Sequence, residues 1–454
     1  MRRALILAAG QGKRMKSALP KVLHTVCGRS MLWHVVQALR QAAVEDIVVV
    51  ASPEVAASLA SQEYGSLQVV VQENPLGTGH AVQVALAGLP VQQDGQILIV
   101  SGDMPLVQAA LLNEVFAQLD EHTVMSLASV QQDVSSHFGR IVRAADGSLE
   151  GIVEHRDATP DQAAITEMNA GYYAFHEGTL RQIITALRPE NAQQEYYLTD
   201  TVALVRAAAQ RIAVVEIRDR EHALGVNDRV ELARAHQALN ARLCAEYMRA
   251  GVTIIDPSTT YLEPELAIGR DTVLYPNTMI SRLSEIGEGC VIGPNVRLSN
   301  AKIGARTTVR ESVILDSTVG ADCEIGPFAH LRMETILGDD VRLGNFVEVK
   351  HSRLGRRVRA GHLSYLGDAE IEEMVNIGAG TVTCNYDGQK KHRTLIKKAA
   401  FIGSNTSLIA PVTIGAGALT GAGSVVTRDV ADHVRVVGNP AKPLPARTGE
   451  PAWR

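Results

Sequence analysis

The segment Gly10-Gln11-Gly12-Lys13-Arg14-Met15, with Pro20-Lys21 behind it, follows directly on the apolar run 5–9. Small residues there let backbone N–H groups approach a phosphate closely, and Arg14 and Lys21 supply charge to neutralise it. This is no Walker loop, because no Gly-Lys-Ser/Thr follows, and the third glycine of G-x-G-x-x-G is missing. Asp103 stands in Ser101-Gly102-Asp103-Met104-Pro105, at the end of another apolar run, 97–100. A carboxylate at the end of a buried strand is costly unless paired or holding a cation, and Mg²⁺ favours few carboxylates combined with phosphate oxygens. In the second half, Ala360-Gly361-His362-Leu363-Ser364-Tyr365 places an imidazole, suited to general-base work at neutral pH, downstream of Arg332 and Lys350. Asn376 and Asn385-Tyr386 follow it. That set can hold a sugar phosphate beside a neutral base.

Two kinds of scaffold must position these groups. Up to about residue 227, apolar runs at 5–9, 47–51, 69–71 and 97–100 alternate with helical patterns such as 31–44 and 81–89. Such alternation predicts a mainly parallel sheet covered by helices, with ligands beyond the carboxyl ends of its strands. Alternating segments around Asp146-Gly147 predict a hairpin over residues 140–155, lying at the sheet edge. Residues 228–250 contain no Gly or Pro and predict one long helix connecting two domains.

Beyond it, aliphatic residues recur every six positions, often with glycine following. Ile268, Leu274, Ile280, Ile286, Ile292 and Leu298 keep one register; Val319, Ile325, Leu331, Leu337, Leu343 and Val349 keep another. Ile371 and Ile377 form a shorter run, and Ile402, Leu408 and Ile414 then resume the six-residue spacing. This period predicts a parallel β-helix in which each aliphatic side chain stacks on its equivalent one coil above. Arg332 and Lys350, three hexads apart, then face the same direction. The hexads are lost between Thr383 and Phe401, and residues 385–393 are expected to loop out. The domains are therefore placed at 1–227 and 251–454, with 228–250 as connector.

Composition narrows the function. A net charge of −5 provides no field for nucleic acid or an anionic membrane. Five scattered cysteines without a C-x-x-C pair suit reduced thiols. No stretch approaches the ~18 apolar residues of a membrane span, and the first residues lack a signal-peptide core. A cytoplasmic enzyme with neither nucleic acid nor membrane as partner is expected.

The phosphate loop with Arg14 and Pro20-Lys21 resembles the signature of sugar-phosphate nucleotidyltransferases, with Lys13 where threonine is usual. Leu76-Gly77-Thr78-Gly79-His80 resembles a uridyltransferase's uracil-reading segment. The His362 segment, with 345–350 and 378–388, resembles glucosamine-1-phosphate N-acetyltransferase. From about Leu5 to Lys442 the chain resembles the bifunctional N-acetylglucosamine-1-phosphate uridyltransferase/glucosamine-1-phosphate acetyltransferases.

That resemblance implies an α/β, Rossmann-like nucleotidyltransferase followed by a left-handed parallel β-helix of hexapeptide repeats, assembled as a homotrimer. It implies that Leu7, Ala8, Ala9, Gly10, Lys21, Gln72, Gly77, Thr78, Ser101, Gly102 and Asp103 bind the nucleotide, Ser101 standing where a tyrosine is familiar. Gly139, Glu154 and Asn169 would touch the sugar, Asp103 and Asn227 would hold Mg²⁺, and Arg14 and Lys21 would act on the transferring phosphate. In the second site His362 would be the base, assisted by Asn385. Arg332, Lys350, Tyr365 and Asn376 would hold glucosamine-1-phosphate, while Ala379, Asn385, Tyr386, Ser404 and Ala422 would line the acetyl-CoA groove. The implied small-molecule partners are glucosamine-1-phosphate, N-acetylglucosamine-1-phosphate, UTP and acetyl-CoA. The basic run Lys390, Lys391, Arg393, Lys397, Lys398 is either a coenzyme A phosphate contact or a solvated loop. An arginine that the family often places near Asn439 is not evident. The competing expectation is a sugar-1-phosphate nucleotidyltransferase whose β-helix only oligomerises.

Overall fold

The computed structural model describes residues 1–59, 64–92, 94–133 and 138–444. They form two compact units, Met1–Leu239 and Asn240–Arg454.

In the first unit, runs rich in β-branched residues become strands, buried at the centre of the sheet and exposed at the Gln68–Val71 edge. Gln68–Val71, Asp46–Ala51, Arg2–Ala8 and Gln96–Ser101 lie side by side, all parallel. The chain therefore moves outward from Arg2–Ala8 and then returns to its other side, which opens a crevice at the carboxyl ends of the two central strands. Glu167–His176 continues the sheet in the antiparallel sense, followed by Thr123–Gln131 and Arg211–Ile217. Apolar clusters cover both faces. The 140–155 hairpin forms as Arg140–Arg143 against Leu149–Val153, with Gly147 at φ +82° in its turn. It joins the sheet through Met168 opposite Arg140. The N-terminal arginines are structural: buried Arg3 pairs with Asp46 at 2.6 Å and Glu177 at 2.9 Å, and Arg2 donates to Asn113 Oδ1 at 2.6 Å. The helix expected at 81–89 is Thr78–Gly88, so its first turn reaches the crevice.

The second unit is a parallel β-helix, one 12-stranded ladder closed against a 17-stranded sheet that carries two further ladders. Both hexad registers point inward and build one continuous apolar column. The shift between them has a geometric cause. Tyr261 pairs with Met279 and Met279 with Arg297, full three-hexad coils. Arg297 then pairs with Val313 and Val313 with His330, coils two residues and one residue shorter.

The interruption is also shorter than the hexads predict. Thr394–Ile396 is a strand paired with Ala369–Ile371 and Val412–Ile414, so the coil resumes before Phe401. Ile396 is fully buried but is followed by Lys397-Lys398 rather than glycine, which hides the corner in the sequence. Only the 385–393 segment leaves the prism, folded back through a Tyr386–Lys391 bridge.

The expected connector forms as the helix Arg229–Arg249, and the boundary between the two units falls within it. Its last turns cap the β-helix. Asn240 Nδ2 donates to Thr260 O at 2.8 Å, Asn240 Oδ1 accepts from Leu262 N at 3.0 Å, and Cys244 enters the apolar column. One amide thus satisfies backbone groups at the open end of the ladder.

Candidate functional sites

A cavity of about 1090 Å³ opens at the crevice of the first unit. One wall is the loop after Arg2–Ala8, in which Leu7, Ala8, Ala9 and Gly10 line the space and Lys13 and Arg14 stay exposed around buried Met15. Gly12, at φ +56°, would place a Cβ 2.7 Å from Lys21 Cβ, so glycine lets this loop close onto Lys21. The Lys21 ammonium sits on Asp103 Oδ2 and lies 3.3 Å from Asn227 Oδ1. Asp103 and Asn227 are held together because Val226 N donates to Asp103 O at 3.0 Å.

The facing wall carries Gln72, Gly77, Thr78 and the segment after residue 190. Gln72, 3% exposed, bonds His80 Nδ1 at 2.8 Å. Gly77, at φ +112°, would put a Cβ 2.5 Å from Tyr196 O, and the Thr78 hydroxyl accepts from Leu198 N at 3.0 Å. Glu154 accepts from Thr199 Oγ1 at 3.2 Å. Burial, aided by Asp200, Asp157 and Glu195 nearby, pushes its carboxyl above the ordinary glutamate value. Ionised Glu154 is therefore a strained group awaiting a donor, such as a sugar hydroxyl. For a carboxyl raised on folding, the penalty exists above the folded pKa and fades as pH falls below the unfolded value. Glu154→Gln is accordingly expected to raise Tm at pH 7, with the gain vanishing below pH ~4.5 by calorimetry.

In the second unit, one cluster forms at the corner that closes the ladder bearing Arg332, Lys350 and Tyr365. Arg332 pairs in register with Lys350, and Lys350 with Gly367. Arg332 holds Glu348 at 2.9 Å; Lys350, 5% exposed, lies 3.7 Å from Asp368. Nearby Lys391, together with burial, lowers the Lys350 ammonium pKa. Asn385 Nδ2 donates to Asp368 Oδ2 at 2.5 Å and lies 3.4 Å from the Tyr365 hydroxyl. A Cβ at Gly367 would overlap the Tyr365 hydroxyl and sit 2.8 Å from Asn385 Nδ2, so glycine lets these two side chains close over the corner.

His362 occupies the opposite corner of the same face, exposed, and its ring has no hydrogen bond or ion pair among the described residues. The ladder pairs Ala360 with Ile377, Ile377 with Ile402 and Ile402 with Thr420. Two residues further on, His362, Ala379, Ser404 and Ala422 therefore stack as one corner column, about 4.8 Å per step. Gly380 N→His362 O, Asn405 N→Ala379 O and Gly423 N→Ser404 O, at 3.4, 2.7 and 2.7 Å, are its rungs.

Residues 4–163 match the MobA-like NTP transferase domain, and residues 257–357 match the GMPPB C-terminal domain. The bifunctional protein GlmU of Geobacillus sp. (strain WCH70) is 46% identical over 439 residues, 95% of this chain and 94% of that protein. Its counterpart from Halalkalibacterium halodurans is 45% identical over 428 residues, 94% of each. That of Heliobacterium modesticaldum is 44% identical over 432 residues, 94% of this chain and 93% of that protein. The chain belongs to the bifunctional GlmU family.

Against that family, most of the expected residues gather, but not all. Gly102 and Gly139 are absent from the cavity lining, Gly102 tucked against Val22 and Ile6, and Gly139 behind Ile152 and Glu154. Asn169 is buried behind it, its amide spent on Tyr173 OH at 2.5 Å and Gly171 N at 3.1 Å. In the second unit, Asn376 lies on the 12-stranded ladder between Arg359 and Phe401, away from the face that carries Lys350 and Tyr365. Tyr386 is exposed, its hydroxyl donating to Gly388 O.

Other lining residues of the GlmU-family cavity carry no motif that would have marked them. Arg156 donates to Gln193 Oε1 at 2.6 Å and Ala192 N donates to Asp157 Oδ1 at 3.0 Å, tying two wall segments together. Arg156 and Asp157 have a signal in the sequence, their position close behind Glu154; Ala192 and Gln193 have none.

Proposed function

We propose that this GlmU-family chain makes UDP-N-acetylglucosamine at two separate sites. The second unit transfers acetyl from acetyl-CoA to the 2-amino group of glucosamine-1-phosphate. The first transfers uridylyl from UTP to N-acetylglucosamine-1-phosphate, releasing pyrophosphate. The observation that carries the two-site reading is the corner column above His362, on the same face as Lys350, Tyr365 and Asn385. A prism used only for assembly needs neither.

In acetyl transfer, His362 accepts a proton from the attacking amine as the C–N bond forms. The C–S bond then breaks and the imidazolium returns the proton to the departing coenzyme A sulfur. Arg332, Lys350 and Tyr365 hold the sugar phosphate, and Ala379, Ser404 and Ala422 give acetyl-CoA a small-residue track rising from the base. Lys390 and Lys391, on the excursion, meet its phosphates. Asn376 enters through a homotrimer, in which a neighbouring copy's ladder completes the site. The Phe328–Phe346 stack, at 5.2 Å, with Leu363 on the next corner, is an exposed apolar ridge that such a neighbour would cover.

In uridylyl transfer, a phosphate oxygen of the sugar attacks the α-phosphorus of UTP in line. Lys13, Arg14 and Lys21 offset charge on the phosphates. Gln72, Gly77 and Thr78 face the base, and Glu154 takes sugar hydroxyls. The oxygens of Asp103 and Asn227 already converge on a cation, the Lys21 ammonium, so the pair fits Mg²⁺. Bound there, Mg²⁺ neutralises phosphate charge as a Lewis acid. Lys21 competes for that place until a triphosphate draws it away. Lys21→Met is accordingly expected to bind Mn²⁺ roughly tenfold more tightly in the nucleotide-free protein, read by the EPR signal of free Mn²⁺. Equal affinities would remove Lys21 from the metal position.

No helix among the described residues is long and apolar enough to cross a membrane. Substrates of this kind support a cytoplasmic enzyme. A single incubation tests the whole reading. With glucosamine-1-phosphate, acetyl-CoA and UTP present, UDP-N-acetylglucosamine should accumulate, and omission of acetyl-CoA should abolish it. Product that persists without acetyl-CoA as UDP-glucosamine would refute the proposed order.

A further inference from the structure

Asp368 lies at the centre of the second site's closing corner, between Lys350 and Asn385. Its side chain is 13% exposed, and its carboxylate meets three partners drawn from the coils below and above it. Asn385 Nδ2 donates to Oδ2 at 2.5 Å, His351 Nδ1 bonds Oδ1 at 2.8 Å, and the Lys350 ammonium lies 3.7 Å away. The backbone is fixed as well. Asp368 N donates to Lys350 O at 3.0 Å and Thr394 N donates to Asp368 O at 3.1 Å, on either side of a residue at φ +50°. Burial alone would raise the carboxyl pKa, but the hydrogen bond with His351, the nearby Lys350 charge and the Asn385 amide hold it below its ordinary value.

An ionised carboxylate only accepts hydrogen bonds. It therefore decides which end of the Asn385 amide faces it: the NH₂ end must, and the carbonyl oxygen is turned to the opposite side. Asn385 is 8% exposed and cannot easily turn back. The same carboxylate stations the ammonium of Lys350, itself buried, at the end of the ladder bearing Arg332.

We propose that Asp368 is a positioning residue of the acetyl-transfer site. It fixes Asn385 with its carbonyl oxygen toward the attacking amine, so that an N–H is held while the lone pair faces the thioester, and it places Lys350 for the sugar phosphate. The inference rests on the acetyltransferase reading of the second unit.

The test uses the full chain and follows coenzyme A thiol release. Asp368→Asn keeps the shape but lets the neighbouring amide present either end. Its kcat for acetyl transfer should fall on the order of 10²-fold, as misplaced reacting groups do, with the KM for acetyl-CoA unchanged. Asp368→Glu, which restores an acceptor-only group, should recover part of that loss. In an Asn385→Ala background the Asp368→Asn change should cost less than about twofold in kcat, because the residue through which it acts on the amine is gone, while the KM for glucosamine-1-phosphate, set through Lys350, still rises. Unchanged kcat in Asp368→Asn, or losses that multiply in the double variant, would overturn the proposal while leaving the acetyltransferase reading intact. Should the wild-type chain release no thiol while still producing pyrophosphate, both would fall together. Should Asp368→Asn lose its thermal transition, Asp368→Glu decides: a partial kcat loss that vanishes in the Asn385→Ala background supports the role, and a loss that persists there refutes it.

Discussion

His362→Ala is expected to slow acetyl transfer by ~10²–10⁴-fold, the ordinary contribution of a positioned general base, while uridylyl transfer continues at the wild-type rate. The large effect follows from isolation. His362 stands at an exposed corner, and no other histidine occupies its column, where Ala379, Ser404 and Ala422 succeed it. His351, at the opposite corner, is bonded to Asp368 and is not free to substitute. Stability should barely change, since the ring makes no hydrogen bond among the described residues. Thiol release and pyrophosphate release measured on one preparation give both numbers. Equal losses in the two reactions would show that the replacement damaged the chain and would withdraw the base assignment.

The mirror experiment is Asp103→Asn. Uridylyl transfer should fall by about 10²–10³-fold, as loss of a charge-stabilising group at a phosphate centre does, with acetyl transfer unchanged. Asp103 is 8% exposed and is the carboxylate on which Lys21 and Asn227 converge. Neutralising it removes the anionic oxygen from the cation position and leaves Lys21 without its counter-ion. Pyrophosphate release at saturating UTP and Mg²⁺ measures the loss. Full activity would place the metal elsewhere.

The scaffold was legible in the sequence wherever a period repeated. Hexads marked the β-helix because each coil must return an aliphatic side chain to the same column, and strand–helix alternation marked the first unit. The shortened coils around Val313 left no such trace, since losing one or two residues at a corner shifts the register without changing composition. Thr394–Ile396 was hidden for a related reason, the missing glycine after Ile396. The phosphate loop was readable because its chemistry is local: Gly12, Arg14 and Lys21 are neighbours in sequence as in space. Asp368 was not. Its importance comes from three partners brought together by coil stacking, and nothing around Gly367-Asp368-Ala369 distinguishes it from an ordinary corner aspartate. Asn376 shows the converse, a motif residue that the ladder of a single chain turns away from its expected companions.

The central claim is that the β-helix is catalytic rather than an assembly platform. It is tested most directly by incubating the full chain with glucosamine-1-phosphate and acetyl-CoA, without UTP, and following free coenzyme A thiol. Stoichiometric thiol release that needs no nucleotide is expected. A folded chain that still forms pyrophosphate from UTP and N-acetylglucosamine-1-phosphate, but releases no thiol, would contradict it.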